Sequence, residues 1–159
     1  MKRSILLLGF LFLALSINAQ TIKPEKGFSN DIGNMISMMD DLKGRITRNV
    51  ASLSTEQTDY LLDDEANRIG AMIYHLAATE KYYQLYTFEN RSFNPEEQKT
   101  WGVALGLGDE GREAMKGKPI DYYLDIWSEV RAESKRLLKT KDDKWFSKKV
   151  KGSSILKGI

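Results

Sequence analysis

The chain has 159 residues, 42% of them hydrophobic, a formal net charge of +2, one histidine (His75) and no cysteine. This composition excludes a disulfide scaffold, a thiolate nucleophile, cysteine-ligated zinc and, within one copy of the chain, an HExxH metal motif. The length predicts one domain with one core, because domains commonly have about 100–200 residues.

The first residues have the order of a secretory signal peptide. Lys2 and Arg3 precede an apolar run at residues 5–15, and the small residue Ala19 ends the segment. The run is shorter than the about 20 apolar residues that a membrane-spanning helix needs. We therefore expect residues 1–19 to be a cleaved signal, the protein to be exported to the periplasm or outside the cell, and no stable membrane insertion after cleavage.

Charge is distributed unevenly along the rest of the chain. Residues 20–134 carry 13 basic and 20 acidic groups, a net charge of −7, whereas residues 135–159 carry 9 and 2, a net charge of +7. A basic end could bind nucleic acid or an anionic membrane surface. For an exported protein, residues 147–159 are better interpreted as a solvated, flexible basic tail attracted to the acidic body, with no nucleic-acid partner.

Residues 20–29 are predicted to be a leader with little structure, because they contain Pro24 and Gly27. Ser29 and Asn30 then provide N-cap chemistry for a first long helix. Farther along, Ser54 and Gln57 have the spacing of a capping box for a new helical turn. The apolar positions of the first helix recur at a helical period: Met35, Ile36, Met39, Leu42, Ile46, Val50 and Leu53.

A second long helix is predicted over residues 67–88 and a third from Pro119, a residue suited to a first helical turn. Residues 90–108 are expected to be irregular, and residues 109–116 to form one or two turns. The second helix has its main apolar face at Ile69, Met72, Ile73, Leu76 and Tyr83. The third has its inward stripe at Ile120, Tyr123, Leu124, Trp127, Val130, Ser134, Leu137 and Leu138.

The pattern predicts an all-α fold, because no segment alternates with a period of two. Three long amphipathic helices favour an up-down bundle, which usually has four helices. Only fourteen residues follow Trp145, and they carry no amphipathic stripe. We therefore expect a bundle domain at residues 30–146 from which the fourth helix is missing.

The string NRIGAMIYHLAATE at residues 67–80 resembles the second helix of the DinB-like superfamily of four-helix bundles. This superfamily includes metal-dependent S-transferases that use a thiol cofactor. Weaker similarities follow in the same order at residues 82–83, 88–91, 93–94, 107–112, 121–124, 130–131 and 143–146. The resemblance implies a truncated DinB-like bundle.

The resemblance also implies a divalent metal, Ni²⁺ or Zn²⁺, held by His75 and by a His-x-x-x-His pair on the last helix. The chain has no such pair. One imidazole is too few ligands for these ions, so we expect no metal to be bound by this chain alone. The alternative role for His75 is a polar residue at the core margin, hydrogen-bonded to a hydroxyl or carbonyl, and we favour it.

Other candidate side chains have structural interpretations. Glu129 and Glu133 could be paired carboxylates, but Arg131 and Lys135 beside them favour a solvated charged face. The tyrosines and Phe88 of the second helix are expected to pack, and four methionines to fill the core: Met35, Met38, Met39 and Met72.

Two functions follow as hypotheses. The first is a metal-dependent transferase of the family, in which His75 is a ligand and Tyr82 a pocket wall; this chain would then be an inactive product. The second is a non-catalytic helical module that dimerises with a second copy, or binds a partner helix, through the open groove left by the missing helix.

Overall fold

The computed structural model describes residues 22–148, and the regular structure of that range is entirely helical, which confirms the predicted all-α class. The helices are α1 (Asn30–Val50), α2 (Thr55–Thr58), α3 (Ile69–Glu89), α4 (Pro95–Gly106), α5 (Gly108–Ala114), α6 (Ile120–Leu138) and α7 (Asp143–Phe146). The predicted signal peptide and residues 149–159 of the predicted tail lie outside the described residues. Between residues 22 and 148, no helix combines the length and apolar content that crossing a bilayer requires.

The main core lies between α3 and α6, and the predicted inward stripe of α6 is confirmed. Seven of its eight positions are buried, and Leu137 is half-buried. On α6, the large rings of Tyr123 and Trp127 fill the space between the helices. The buried surface of α3 includes four small residues, namely Gly70, Ala71, Ala77 and Ala78. This close approach buries both aromatic rings almost completely.

The predicted apolar face of α3 is partly wrong. Ile73 is buried, but Met72 is 44% exposed and Tyr83 is 57% exposed. Ile69 and Leu76, also predicted to face inward, pack against the main core. Because Tyr123 and Trp127 supply much of the bulk at this interface, glycine and alanine form part of the buried side of α3. The size of a side chain therefore marks the inward face of α3 only in part.

The apolar stripe of α1 contacts two separate clusters. Ile32 and Ile36 lie with Leu138 in a second, smaller cluster, whereas Ile46 and Val50 pack against the main one. Between these pairs α1 places Asp40 and Lys43 against polar side chains of α6. Leu42, predicted inward, is 59% exposed. Met38, predicted to fill the core, is 52% exposed, as Met72 is on α3.

Residues 95–106 form α4, which corrects the prediction of an irregular segment. The Asn94 side chain accepts hydrogen bonds from the backbone N–H groups of Glu96 and Glu97, and Glu97 accepts one from Asn94 N. Pro95 occupies the first helical position, where its missing N–H costs nothing. Ala104 of this helix is buried against α3 in the main core.

The predicted capping box at Ser54 and Gln57 is confirmed. Ser54 N donates to Gln57 Oε1 over 2.9 Å, and Gln57 N donates to Ser54 Oγ over 3.3 Å. Two backbone donors at the start of α2 are thereby satisfied.

The start of α1 is capped from the far end of the described chain. Asp143, in α7, accepts hydrogen bonds from Ser29 Oγ and from the backbone N–H groups of Asp31 and Ile32. The hydrogen bond from Ser29, together with the backbone donors, holds the pKa of Asp143 below its usual range. A carboxylate at this position also interacts favourably with the helix dipole.

Candidate functional site

An apolar pocket of about 440 Å³ opens where α1, α3 and α6 diverge, and α7 closes one side of it. Its walls are mainly aromatic, methionine and leucine side chains, and its polar members include Glu80, Gln84 and Ser134. The full lining is Met35, Met39, Glu80, Tyr83, Gln84, Tyr86, Thr87, Phe88, Asn90, Ser134, Leu138, Trp145, Phe146 and Lys148. We call this cavity the apolar pocket.

The carboxylate of Glu80 forms a buried, bidentate ion pair with Arg131. Arg131 Nε donates to Glu80 Oε1 over 2.8 Å, and Nη2 donates to Oε2 over 2.9 Å. Ser134 Oγ donates to Oε1 over 2.6 Å, and Trp127 Nε1 donates to Oε2 over 3.1 Å. These four hydrogen bonds use about all the lone-pair positions of a carboxylate.

The ion pair continues to α1 through Asp40. Arg131 Nη1 donates to Asp40 Oδ1 over 2.8 Å, and Lys135 Nζ donates to Oδ2 over 2.6 Å. Asp40, Glu80, Arg131, Ser134 and Lys135 therefore form one network that joins the three long helices. On both α1 and α6, this Glu80 network lies between the residues of the main cluster and those of the second cluster.

Gln84 extends the network along α3. Its Nε2 donates to Val130 O over 2.7 Å and to Ser134 Oγ over 2.8 Å, which fixes the orientation of the amide. Its Oε1 is buried and accepts no hydrogen bond within the described structure. An unsatisfied buried carbonyl is costly, so a ligand group that donates to it would gain affinity.

Asp40→Asn should reduce stability at neutral pH but not in acid. Burial raises the pKa of the Asp40 carboxyl, but hydrogen bonds from Lys135 and Arg131 outweigh burial and hold the pKa below its usual range. Such a group stabilises the fold above its unfolded-state pKa of about 4, and this contribution is lost as the pH falls through the lowered value. In urea unfolding, the difference in the free energy of unfolding between wild type and variant should become smaller below about pH 4. A gap of equal size at neutral and acidic pH would contradict this assignment.

His75 lies outside the apolar pocket, on the side of α3 that faces α4. Its Nδ1 is 3.0 Å from the carbonyl oxygen of Ala104, and its Nε2 is 3.4 Å from Thr79 Oγ1. The carbonyl can only accept, so Nδ1 carries the proton and Nε2 accepts. This is the arrangement expected of a hydrogen-bonded histidine at the core margin.

The surroundings of His75 do not fit Ni²⁺ or Zn²⁺. They offer one imidazole, a carbonyl and a hydroxyl, whereas these ions need several strong nitrogen, sulfur or carboxylate ligands. Within residues 22–148, no three His, Cys, Asp or Glu side chains are grouped so that they could hold a metal ion.

The other predicted candidates do not meet at one site. The Tyr82 ring contacts Tyr83, Tyr86 and Phe93 in an aromatic cluster and does not line the apolar pocket. Glu133 pairs with Arg136, so it belongs to an exposed ion pair on one face of α6.

The sequence interpretation missed the Glu80 network, because it assigned Arg131 and Lys135 to a solvated face. Arg131 is instead 7% exposed. A signal was present: Arg131 follows Trp127 by four positions and precedes Ser134 by three, so it continues the inward stripe of α6. A charged residue within an apolar stripe predicts a buried partner of opposite charge.

No protein-family model matches the chain, and no curated protein matches it significantly. The DinB-like resemblance therefore stays a prediction.

Proposed function

We propose that this chain is an exported, DinB-like helical protein that binds a small, largely apolar molecule in the apolar pocket without transforming it. The observation that carries the proposal is a cavity of about 440 Å³ with mainly apolar walls and a few fixed polar groups. Small-molecule sites commonly have about 300–1,000 Å³ and this composition.

The polar groups of the pocket favour binding over catalysis. The Glu80 carboxylate accepts four hydrogen bonds, one of them from Ser134, so it has no free position at which to take a proton from a substrate. The Ser134 hydroxyl donates to that carboxylate and accepts from Gln84 Nε2. A serine nucleophile needs an adjacent base that can accept its proton, and Glu80 is already committed to Arg131.

The transferase hypothesis has less support from this geometry. The apolar pocket lies near Glu80 and Gln84, whereas the Nδ1 of His75 is bound to a carbonyl of α4 on another side of α3. A metal held by His75 would therefore not face the cavity that can take a ligand.

Phe146→Ala should weaken binding of N-phenyl-1-naphthylamine, an uncharged apolar fluorescent probe, by about fivefold, because part of the apolar wall is lost. The Phe146 side chain lines the pocket and is 39% exposed, so its removal leaves the main core intact. Tyr60→Ala is the matched control, since Tyr60 is an exposed aromatic residue outside the pocket. Fluorescence titration measures both affinities.

A saturable, single-site titration that Tyr60→Ala leaves unchanged would support the proposal. Absence of saturation, or an equal loss of probe affinity in both variants, would refute it.

Sedimentation velocity on the same protein tests the predicted homodimer. Mass spectrometry of the mature N-terminus tests the predicted export, since an intact Met1 contradicts it.

A further inference from the structure

A second concave surface lies between α1 and α6, and most of its lining residues carry a charge or a hydroxyl group. It has a volume of about 520 Å³. We call it the basic groove, and its lining is Asp40, Lys43, Gly44, Thr47 and Arg48 on α1 with Ser128, Arg131, Ala132 and Lys135 on α6. Four of these nine residues are cationic and one is anionic.

Two of the cations are already neutralised by carboxylates. Arg131 pairs with Glu80 and Asp40, and Lys135 pairs with Asp40 and lies 3.6 Å from Glu25. Lys43 and Arg48 have no carboxylate oxygen within 4.0 Å among residues 22–148. The excess positive charge of the basic groove is therefore concentrated at Lys43 and Arg48.

Lys43 is held in a fixed position. Its Nζ donates to Ser128 Oγ over 2.8 Å and lies 5.3 Å from the centre of the Trp127 ring. Burial, and then repulsion from Arg131, lower the pKa of the Lys43 ammonium, although Asp40, Glu80 and Asp125 act in the opposite direction. An anion beside Lys43 would relieve this repulsion.

The small side chains of Gly44 and Ala132 leave open space between the two helices. The Thr47 hydroxyl lies on the α1 wall, whereas the Ser128 hydroxyl accepts from Lys43 and donates to Leu124 O over 2.7 Å. The free donors of this space therefore come from α1. A tetrahedral oxyanion presents acceptor oxygens in several directions, so it can accept from an ammonium, a hydroxyl and a guanidinium group together. The basic groove contains no comparable set of acceptors that would suit a cation.

We propose that the basic groove binds a phosphate or sulfate group between the Lys43, Thr47 and Arg48 side chains of α1. This site is separate from the apolar pocket, because Arg131 and its carboxylate partners lie between the two. A negative result for the apolar ligand would therefore not contradict the oxyanion site, and the reverse also holds.

Isothermal titration of the purified protein with inorganic phosphate, and separately with inorganic sulfate, tests the proposal against sodium chloride of equal ionic strength. Saturable binding of at least one oxyanion is expected. Arg48→Gln should weaken that binding about tenfold, because a charge-assisted hydrogen bond is lost. The described structure offers Arg48 no hydrogen bond or ion pair, so the variant should fold normally.

Lys43→Gln is the second variant, with circular dichroism as its check on folding. The matched control is Arg45→Gln, which removes the same charge from α1 at an exposed position paired with Asp41 outside the basic groove. Its oxyanion affinity should stay within about twofold of wild type. Binding that only follows ionic strength, or that Arg45→Gln weakens as much as Arg48→Gln, would overturn the proposal. Preference for one anion identifies the ligand chemistry.

Discussion

Glu80→Gln should lower the free energy of unfolding by about 3–5 kcal/mol, because it leaves the guanidinium of Arg131 buried without its main partner. The side chains of Arg131 and Glu80 are only 9% and 10% exposed, so water cannot replace the lost carboxylate. The substitution also weakens the hydrogen bonds from Ser134 and Trp127, which then meet a neutral amide. Denaturant unfolding monitored by circular dichroism measures the loss.

Glu89→Gln is the matched control, since Glu89 pairs with Arg91 at the surface, where an ion pair contributes about 0–1 kcal/mol. A double variant, Glu80→Gln with Arg131→Met, should be more stable than Glu80→Gln alone because it no longer buries a guanidinium that has lost its main partner. If Glu80→Gln lowers the free energy of unfolding no more than Glu89→Gln does, the Glu80 network does not stabilise the fold.

Gly70→Ala should destabilise the protein by about 1–3 kcal/mol, although alanine normally favours a helix by about 1 kcal/mol over glycine. A Cβ atom at position 70 would lie 2.4 Å from Cε2 of Tyr123, and that ring is 1% exposed. The ring has no space into which to move, so α3 and α6 would have to separate. Thermal unfolding gives the size and sign of the change.

Gly106→Ala provides the comparison for Gly70→Ala. Gly106 is also a helical glycine, in α4, but a Cβ atom there would meet nothing within 4 Å. Its replacement should be neutral or slightly stabilising. Equal effects of the two substitutions would show that the contact between α3 and Tyr123 does not limit the packing distance.

The sequence predicts helices best where the large residues face inward. In α6, the apolar residues recur at the helical period and are also the residues that pack, so the predicted stripe agrees with the structure. In α3, four of the seven buried residues are glycine or alanine, whose hydrophobicity is too small to dominate a sequence pattern. Their role depends on Tyr123 and Trp127 across the interface, which the local sequence of α3 cannot show.

The start of α4 was predictable from its local chemistry. Asn94, Pro95 and Glu97 are an N-cap, a first-turn proline and a capping-box partner, but the three glycines at positions 102, 106 and 108 favoured an irregular segment. Local capping and contacts with the main core outweigh the weak helix propensity of glycine at the end of this helix.

The polar site was less predictable than the helices. The lengths of α1, α3 and α6 follow from local pattern, but the pairing of Glu80 with Arg131 and Asp40 depends on how three helices align. The apolar pocket likewise depends on α7, a single turn whose position relative to α1 is fixed by Asp143. Helical periodicity is a local pattern of the sequence and does not show contacts between distant residues.

The cap that Asp143 provides has a consequence for the order of assembly. The first turn of α1 receives its acceptor from a residue that is more than one hundred positions later in the chain. During synthesis, the backbone N–H groups of that turn therefore have only water as an acceptor until nearly the whole described sequence has left the ribosome. The first turn of α1 and α7 therefore become ordered together, and a change that destabilises one of them also destabilises the other.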